Sequence, residues 1–158
     1  MSTQITVKVE GLEQAVAKLT PQRANGPIGR FLDRGAIYIQ SRARENAPVD
    51  TGRLRGSIGI DAPSDRMREI GANTDYAEYV EKGTSAHFPP PSALQGWALR
   101  HGFSGPQAGF LVARAISRSG TKPRPYMKPA AEAGEAFVKS LVPTLAAELE
   151  AAYSGGGD

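Results

Sequence analysis

One stretch of this chain limits its fold more than any other. Ile28, Phe31, Leu32, Gly35, Ala36, Ile39 and Ala43 recur at helical spacing. They form a single apolar stripe along about four turns, and that stripe must be covered by something. The opposite face carries Arg30, Asp33, Arg34, Gln40, Arg42 and Arg44. A long amphipathic helix is therefore expected. It should end near Asn46, because Ala47 precedes Pro48 and is pushed out of the helical region. Residues 21–27, with Pro21, Gly26 and Pro27, read as a loop leading into it.

The flanking segments have other periods. Ile5, Val7 and Val9 alternate with Thr6, Lys8 and Glu10, the pattern of a half-buried strand. Leu12, Ala15, Val16 and Leu19 then take helical spacing. After the long helix, Asp50 and Thr51 can bond nearby backbone N–H groups, and Gly52 permits a positive φ. A tight turn into a strand over 54–61 is expected, with a return strand over 66–72. Asp75 is placed to cap a short helix through Tyr76 and Tyr79 that stops at Gly83.

The second half is broken by proline and glycine. Phe88 to Pro91 reads as a stiff extended run, and Ser92 as the cap of a helix closed by Gly102. A further helix is expected over 107–117, then an extended stretch over 122–126. The last helix carries Ala130, Ala133, Phe137, Leu141, Leu145 and Leu149 on one side, and Pro143 should kink or divide it. Strands and helices do not alternate strictly, so the class is α+β. The expected architecture is a small antiparallel sheet against a long helix and a C-terminal helix, with a Pro-rich, helical insertion over about 85–122. The 158 residues suit one domain, over 1–153, followed by a flexible Gly-rich tail at 154–158.

Charge is unevenly spread. From Lys82 to Ala131 the chain has seven cations, among them Arg100, Arg114, Arg118 and Arg124, and no acid. From Glu132 to Asp158 it has five acids against Lys139. A second basic stretch, Arg23 to Arg55, has seven arginines against three acids. Such asymmetry fits solvated faces, a face for an anionic partner, or complementary faces that meet between copies of one chain.

Chemistry is sparse. The absence of cysteine removes disulfides, thiol nucleophiles and Cys-based zinc sites. Two histidines, His87 and His101, make a His-rich metal site hard to build. Thr84, Ser85 and His87 offer hydroxyls beside an imidazole, but without a nucleophile elbow, and read as a polar loop. Glu78 and Glu81, or Asp50 and Asp61, read as solvated carboxylates rather than an acid–base pair. No phosphate-binding glycine loop occurs. No apolar run approaches the roughly 18 residues of a membrane helix, and the first residues lack the blocks of a signal peptide, so synthesis in the cytosol is expected. Nucleic-acid binding is a more serious candidate, since Phe88, Trp97, Phe103, Phe110 and Tyr126 lie within the basic block. Trp97, Phe103 and Phe110 sit among Leu and Ala, however, and read as core.

Three segments taken together resemble a known family. Ala47-Pro48-Val49-Asp50-Thr51-Gly52-Arg53-Leu54-Arg55-Gly56-Ser57-Ile58 follows the long helix. Tyr76-Ala77-Glu78-Tyr79-Val80-Glu81-Lys82-Gly83-Thr84 follows the expected hairpin. Arg124-Pro125-Tyr126-Met127-Lys128-Pro129-Ala130 opens the last helix. In this order they resemble the "gene product ten-like" tail components of tailed bacteriophages, neck, tail-completion or head–tail joining proteins, over about residues 5–150. The resemblance implies a structural virion protein with no catalysis and no cofactor, made in the host bacterial cytoplasm. Copies would form a six- or twelve-fold ring at the head–tail junction. Its neighbours would be head-completion or adaptor proteins and the tail terminator or tail tube, with DNA passing through unread and no membrane involved. Asp50, Thr51 and Gly52 would then shape the helix-to-strand turn, and Tyr76, Tyr79, Glu81 and Gly83 would anchor the loop after the sheet. Arg124, Pro125, Tyr126 and Pro129 would set the entry of the last helix. Arg114 and Arg118 are the expected protein contacts of the basic block. The other readings are a basic nucleic-acid-binding module and, for want of a nucleophile–base pair, a distant small hydrolase.

Overall fold

The computed structural model describes residues 4–7 and 21–154. Its elements in chain order are β1 (Gln4–Val7), α1 (Pro21–Asn46), α2 (Arg53–Ser57), β2 (Ile58–Ser64), β3 (Met67–Ala72), α3 (Ala77–Lys82), α4 (Pro91–Arg100), α5 (Ala108–Ser119) and α6 (Met127–Ser154). The class is α+β, as expected. The rest of the first strand, to Val9, and the helix through Leu12 and Leu19 lie outside the described residues.

The sheet has the order β1-β3-β2, antiparallel throughout. Ile70 stands opposite both Ile5 and Ile60, and Ile58 opposite Ala72. Register shifts between Asp61 and Ser64, at the hairpin end. Ile58, Ile70 and Ala72 turn a fully buried face toward Ala36, Ile39 and Ala43 of α1. Tyr126, Met127 and Ala130, where α6 begins, complete this cluster.

Helices α1 and α6 run antiparallel and bury their stripes against each other. The first half of α1 (Ala24, Ile28, Phe31 and Leu32) packs on Leu145, Leu141 and Leu149. Midway the two backbones come close. A Cβ on Gly134 would run into the Ile39 side chain, and one on Gly35 would sit 2.8 Å from Val138 Cγ2. Tyr38 stacks on Phe137 at 4.1 Å. Arg30 donates two hydrogen bonds to Glu148, and Arg34 lies 3.4 Å from the same carboxylate.

The structure corrects several expectations. Residues 21–27 are not a loop but the opening of α1. Pro27 lies inside that helix and Pro143 inside α6. Each proline costs about 3 kcal/mol in a helix interior, whereas each fully buried large aliphatic or aromatic side chain returns about 1.5–3 kcal/mol. The packing of Ile28, Phe31, Leu32 and Leu145 outweighs both breaks. Residues 53–57 form one helical turn instead of strand. Gly52, at φ 79°, starts it, Gly56 N–H bonds the Gly52 carbonyl, and Leu54 is buried beneath it. Asp75 does not cap α3, whose first turn is closed by Ala77 N–H on the Thr74 carbonyl. Ser92 does not cap α4, which begins at Pro91.

Candidate functional site

The second and third sequence motifs meet in space. Glu81, at the end of α3, is buried, and its carboxylate faces the first turn of α6. Oε2 accepts the N–H of Tyr126 at 2.7 Å and of Met127 at 2.9 Å, and Oε1 accepts that of Lys128 at 2.9 Å. Three donors at a helix start that would otherwise lack partners are satisfied by one side chain from 45 residues away. The carboxylate also lies at the positive end of the helix dipole. Arg124 N–H adds a bond to the Val80 carbonyl at 2.8 Å. Pro129 falls in the first turn of α6, where a missing N–H costs nothing. Pro125 keeps the approach out of the helical region.

Tyr126 follows directly and is fully buried, with its hydroxyl unpaired. Burial pushes its phenol up to about 12, and the negative charge of Glu81 and the neighbouring Tyr76 act in the same direction. Tyr76 and Tyr79, from the same motif as Glu81, are exposed, at 37% and 60%. Gly83 has φ 70°, and a Cβ there would strike the Thr121 carbonyl. Thr84 and Thr121 bridge through two backbone hydrogen bonds of 3.1 Å and paired hydroxyls at 3.0 Å. Gly120, at φ 68°, closes the bridge from the other side against the Thr84 carbonyl. This closure was missed in the sequence. Its signal was a repeated Gly-Thr pair, Gly83-Thr84 and Gly120-Thr121.

The chain between the bridge residues holds α4 and α5, packed on each other through Leu94, Ala98, Ala108, Val112 and Ile116. One ion pair ties this hairpin to the first motif: Arg100 grips both Asp50 oxygens, at 2.9 and 2.5 Å. The Arg100 hydrogen bond holds the Asp50 carboxyl below the usual carboxylate range, and the charges of Arg100 and His101 add to it. Asp50 therefore reaches across to the hairpin rather than to the nearby backbone. Thr51 keeps a long contact, 3.4 Å, from the Arg53 N–H to its hydroxyl.

The aromatics expected in the core are outside it. Trp97, Phe103 and Phe110 are 38%, 40% and 45% exposed, and Phe88 is 53%. Two helices share one seam, and small residues fill this one, Ala98, Ala108, Gly109 and Ala113 among them. Large rings do not fit between them. Trp97 instead stacks on His101 at 4.0 Å, and Phe110 meets Phe88 edge-on at 6.0 Å. On α5, Phe110, Leu111, Arg114, Ala115 and Arg118 are all exposed. At 100° per residue they span one face of about 140°. Among the described residues neither arginine has an ion-pair partner.

Groups that could suggest a reaction centre each hold the chain together. His87 Nδ1 meets the Ser85 carbonyl at 2.9 Å, and the Thr84 hydroxyl meets Thr121. Glu78 binds Lys82 at 2.8 Å, while Glu81 caps α6. An open hollow beside the hairpin, lined by Pro91, Ser92, Gln95, Pro106, Gln107 and Phe110, contains no ionisable side chain. No group of His, Asp and Glu among the described residues is placed to hold a metal. No helix among them is long and apolar enough to cross a membrane.

No curated protein and no solved structure matches the chain. Residues 10–83 match the model of a family described as "Bacteriophage HK97-gp10, putative tail-component". The matched span holds the first motif and the second up to Gly83, one residue before the bridge. Through that span the chain is similar to the HK97-gp10-like family of phage tail components.

Proposed function

We propose that this chain is a structural part of the virion of a long-tailed phage or prophage-like particle. Copies of it close a six- or twelve-fold ring at the head–tail junction, between head-completion or adaptor proteins and the tail terminator or tube, and DNA passes through the lumen without being read. Similarity of residues 10–83 to a tail-component family supports the virion role. The observation that carries the ring is the presence of two unlike exposed faces on one chain. The α5 face is basic and aromatic, and α6 turns Glu132 and Glu150 outward. Unlike faces produce head-to-tail contacts, which close into rings when the rotation allows. In this reading residues 85–122 are an insertion on a single domain, and Asp50, Glu81, Gly83 and Tyr126 hold that domain's frame rather than perform chemistry.

Light scattering on the purified chain, with and without its tail-tube or head-completion neighbour, tests this. A six- or twelve-fold species, alone or on the neighbour, is expected. A chain that stays monomeric with both neighbours overturns it. Exposed Phe88, Trp97 and Phe110 beside unpaired Arg114 and Arg118 favour a second reading, a nucleic-acid-binding module. That reading requires DNA affinity that falls steeply with salt.

A further inference from the structure

We infer that the exposed face of α5 docks on the outer face of α6 of a second copy of this chain. The inference rests on the ring reading above and names the contact that would build it. Both faces are bare and their chemistry is complementary. On α5, Phe110 and Leu111 lie about 4–12 Å along the axis from Arg114 and Arg118, at 1.5 Å per residue. On α6 the outward stripe runs from Glu132 through Ala136, Lys139, Pro143, Ala146 and Ala147 to Glu150, all exposed, with Lys139 held by Glu135. Beside it Val142 is 50% exposed. Ala146 and Val142 lie about 6 and 12 Å from Glu150 along the helix.

The spacings match. With Arg114 and Arg118 at Glu150, Phe110 and Leu111 reach Val142 and Ala146. Small residues on α6 let the two aromatic and aliphatic side chains approach a helix backbone closely. Glu150 makes no ion pair among the described residues, and neither arginine does, so each is available to the other. Glu148, on the side of α6 that faces α1, is engaged with Arg30 and Arg34 inside the chain and takes no part. In the ring the contact is made once per neighbour, head-to-tail, and propagates from copy to copy; a reciprocal contact would stop at a dimer.

The chain has no cysteine, which makes the test clean. Leu111→Cys and Ala146→Cys are placed together in the full chain, which is oxidised as purified and again on its tail neighbour. Non-reducing gels should show a ladder up to the ring number, absent from either single variant. Independently, Arg114→Glu with Arg118→Glu should weaken self-association at least tenfold in low salt. Glu150→Lys in the same chain should recover part of it, with melting temperature unchanged throughout. A ring without a ladder overturns this contact and leaves the ring reading standing. No oligomer by scattering or by lysine cross-linking, free or on the neighbour, overturns both. Duplex DNA binding that is lost with the two arginines, without any ladder, assigns the face to nucleic acid and overturns the contact.

Discussion

The body of the molecule and its hairpin are built on opposite terms. In the body, two helices of 26 and 28 residues cover a sheet and each other, and Tyr126, Ile28, Ile39, Ile58, Ile70 and Met127 are sealed from solvent. In the hairpin, helices of 10 and 12 residues meet along alanine, glycine and a few aliphatic side chains, and every aromatic side chain lies outside. The body's large side chains stabilise its fold. The hairpin's aromatic side chains do little for its fold and are available for contact. Exposed aromatics on a weakly packed projection are what a recognition element presents, whereas buried ones make a platform. Among the described residues the two regions are joined by a short bridge, Thr84 to Thr121, and a surface ion pair, Arg100 to Asp50.

The largest expected effect breaks the platform. Tyr126→Ala should cost about 3–5 kcal/mol, the range for deleting a buried aromatic side chain. Denaturant unfolding measures it. Tyr126→Phe keeps the volume and removes a hydroxyl with no partner, so it should be neutral or stabilising by about 1 kcal/mol. The same pair separates at high pH. The folded phenol is pushed up to about 12 while the unfolded one ionises near 10. The stability linked to it is complete below pH 10 and is lost as pH rises toward 12. Tyr126→Phe should flatten that loss, and an unchanged alkaline slope would disprove the assignment.

Next in size is Glu81→Gln. Three N–H groups converge on this carboxylate, and an amide would turn one of its own donors toward them. A loss of about 2–3 kcal/mol is expected, since hydrogen bonds to charged groups are worth roughly twice neutral ones. A change below about 0.5 kcal/mol in chemical denaturation would mean that water satisfies the helix start equally well.

Much of the platform was legible, because its signals are periodic. The stripe from Ile28 to Ala43 and the one from Ala130 to Leu149 need only 3.6-residue spacing to be read, and the return strand before Ala72 needs only a turn and an apolar alternation. The start of α1 was not legible. Pro21, Gly26 and Pro27 are local breakers, and what overrides them is Leu145, more than a hundred residues away. The Glu81 cap was half legible. Its two segments stood out as motifs, but nothing in the order of residues says that a glutamate on one caps a helix that starts in the other. The hairpin misled for a physical reason. Trp97 and Phe110 have core spacing on each helix, yet spacing cannot reveal that Ala98, Ala108, Gly109 and Ala113 bring the two helices too close for rings between them.

Smaller effects test whether hairpin and body are as separate as they look. Thr84 and Thr121 are already paired, so replacing residues 85–120 by a two-residue glycine turn leaves the bridge closable. The body should then melt within a few degrees of the full chain, because the hairpin shares no large buried side chain with it. A fall of more than about 8 °C, roughly 2 kcal/mol by the usual scaling for a chain this size, would show the hairpin to be part of the core. Solubility of the shortened chain should rise, since Phe88, Trp97, Phe103 and Phe110 leave with the hairpin.

The smallest effect concerns the ion pair. Asp50→Asn removes one charge from an exposed contact and should leave the melting temperature of the body unchanged. Its consequence is local. Backbone amides of α4 should exchange faster while those of α1 and α6 do not. Acid should reproduce this in the unaltered chain. Asp50 is held below the ordinary carboxylate value by Arg100. The tie is therefore complete above pH 3.8, the unfolded value, and fades as pH falls through the lower folded one. Hydrogen exchange on both chains across that window separates two possibilities. If α4 loosens only where Asp50 is neutral, the hairpin is oriented by this pair. If α4 exchanges at one rate in both chains at every pH, its orientation comes from the Thr84–Thr121 bridge alone, and the first sequence motif has no hold on the surface that the hairpin presents.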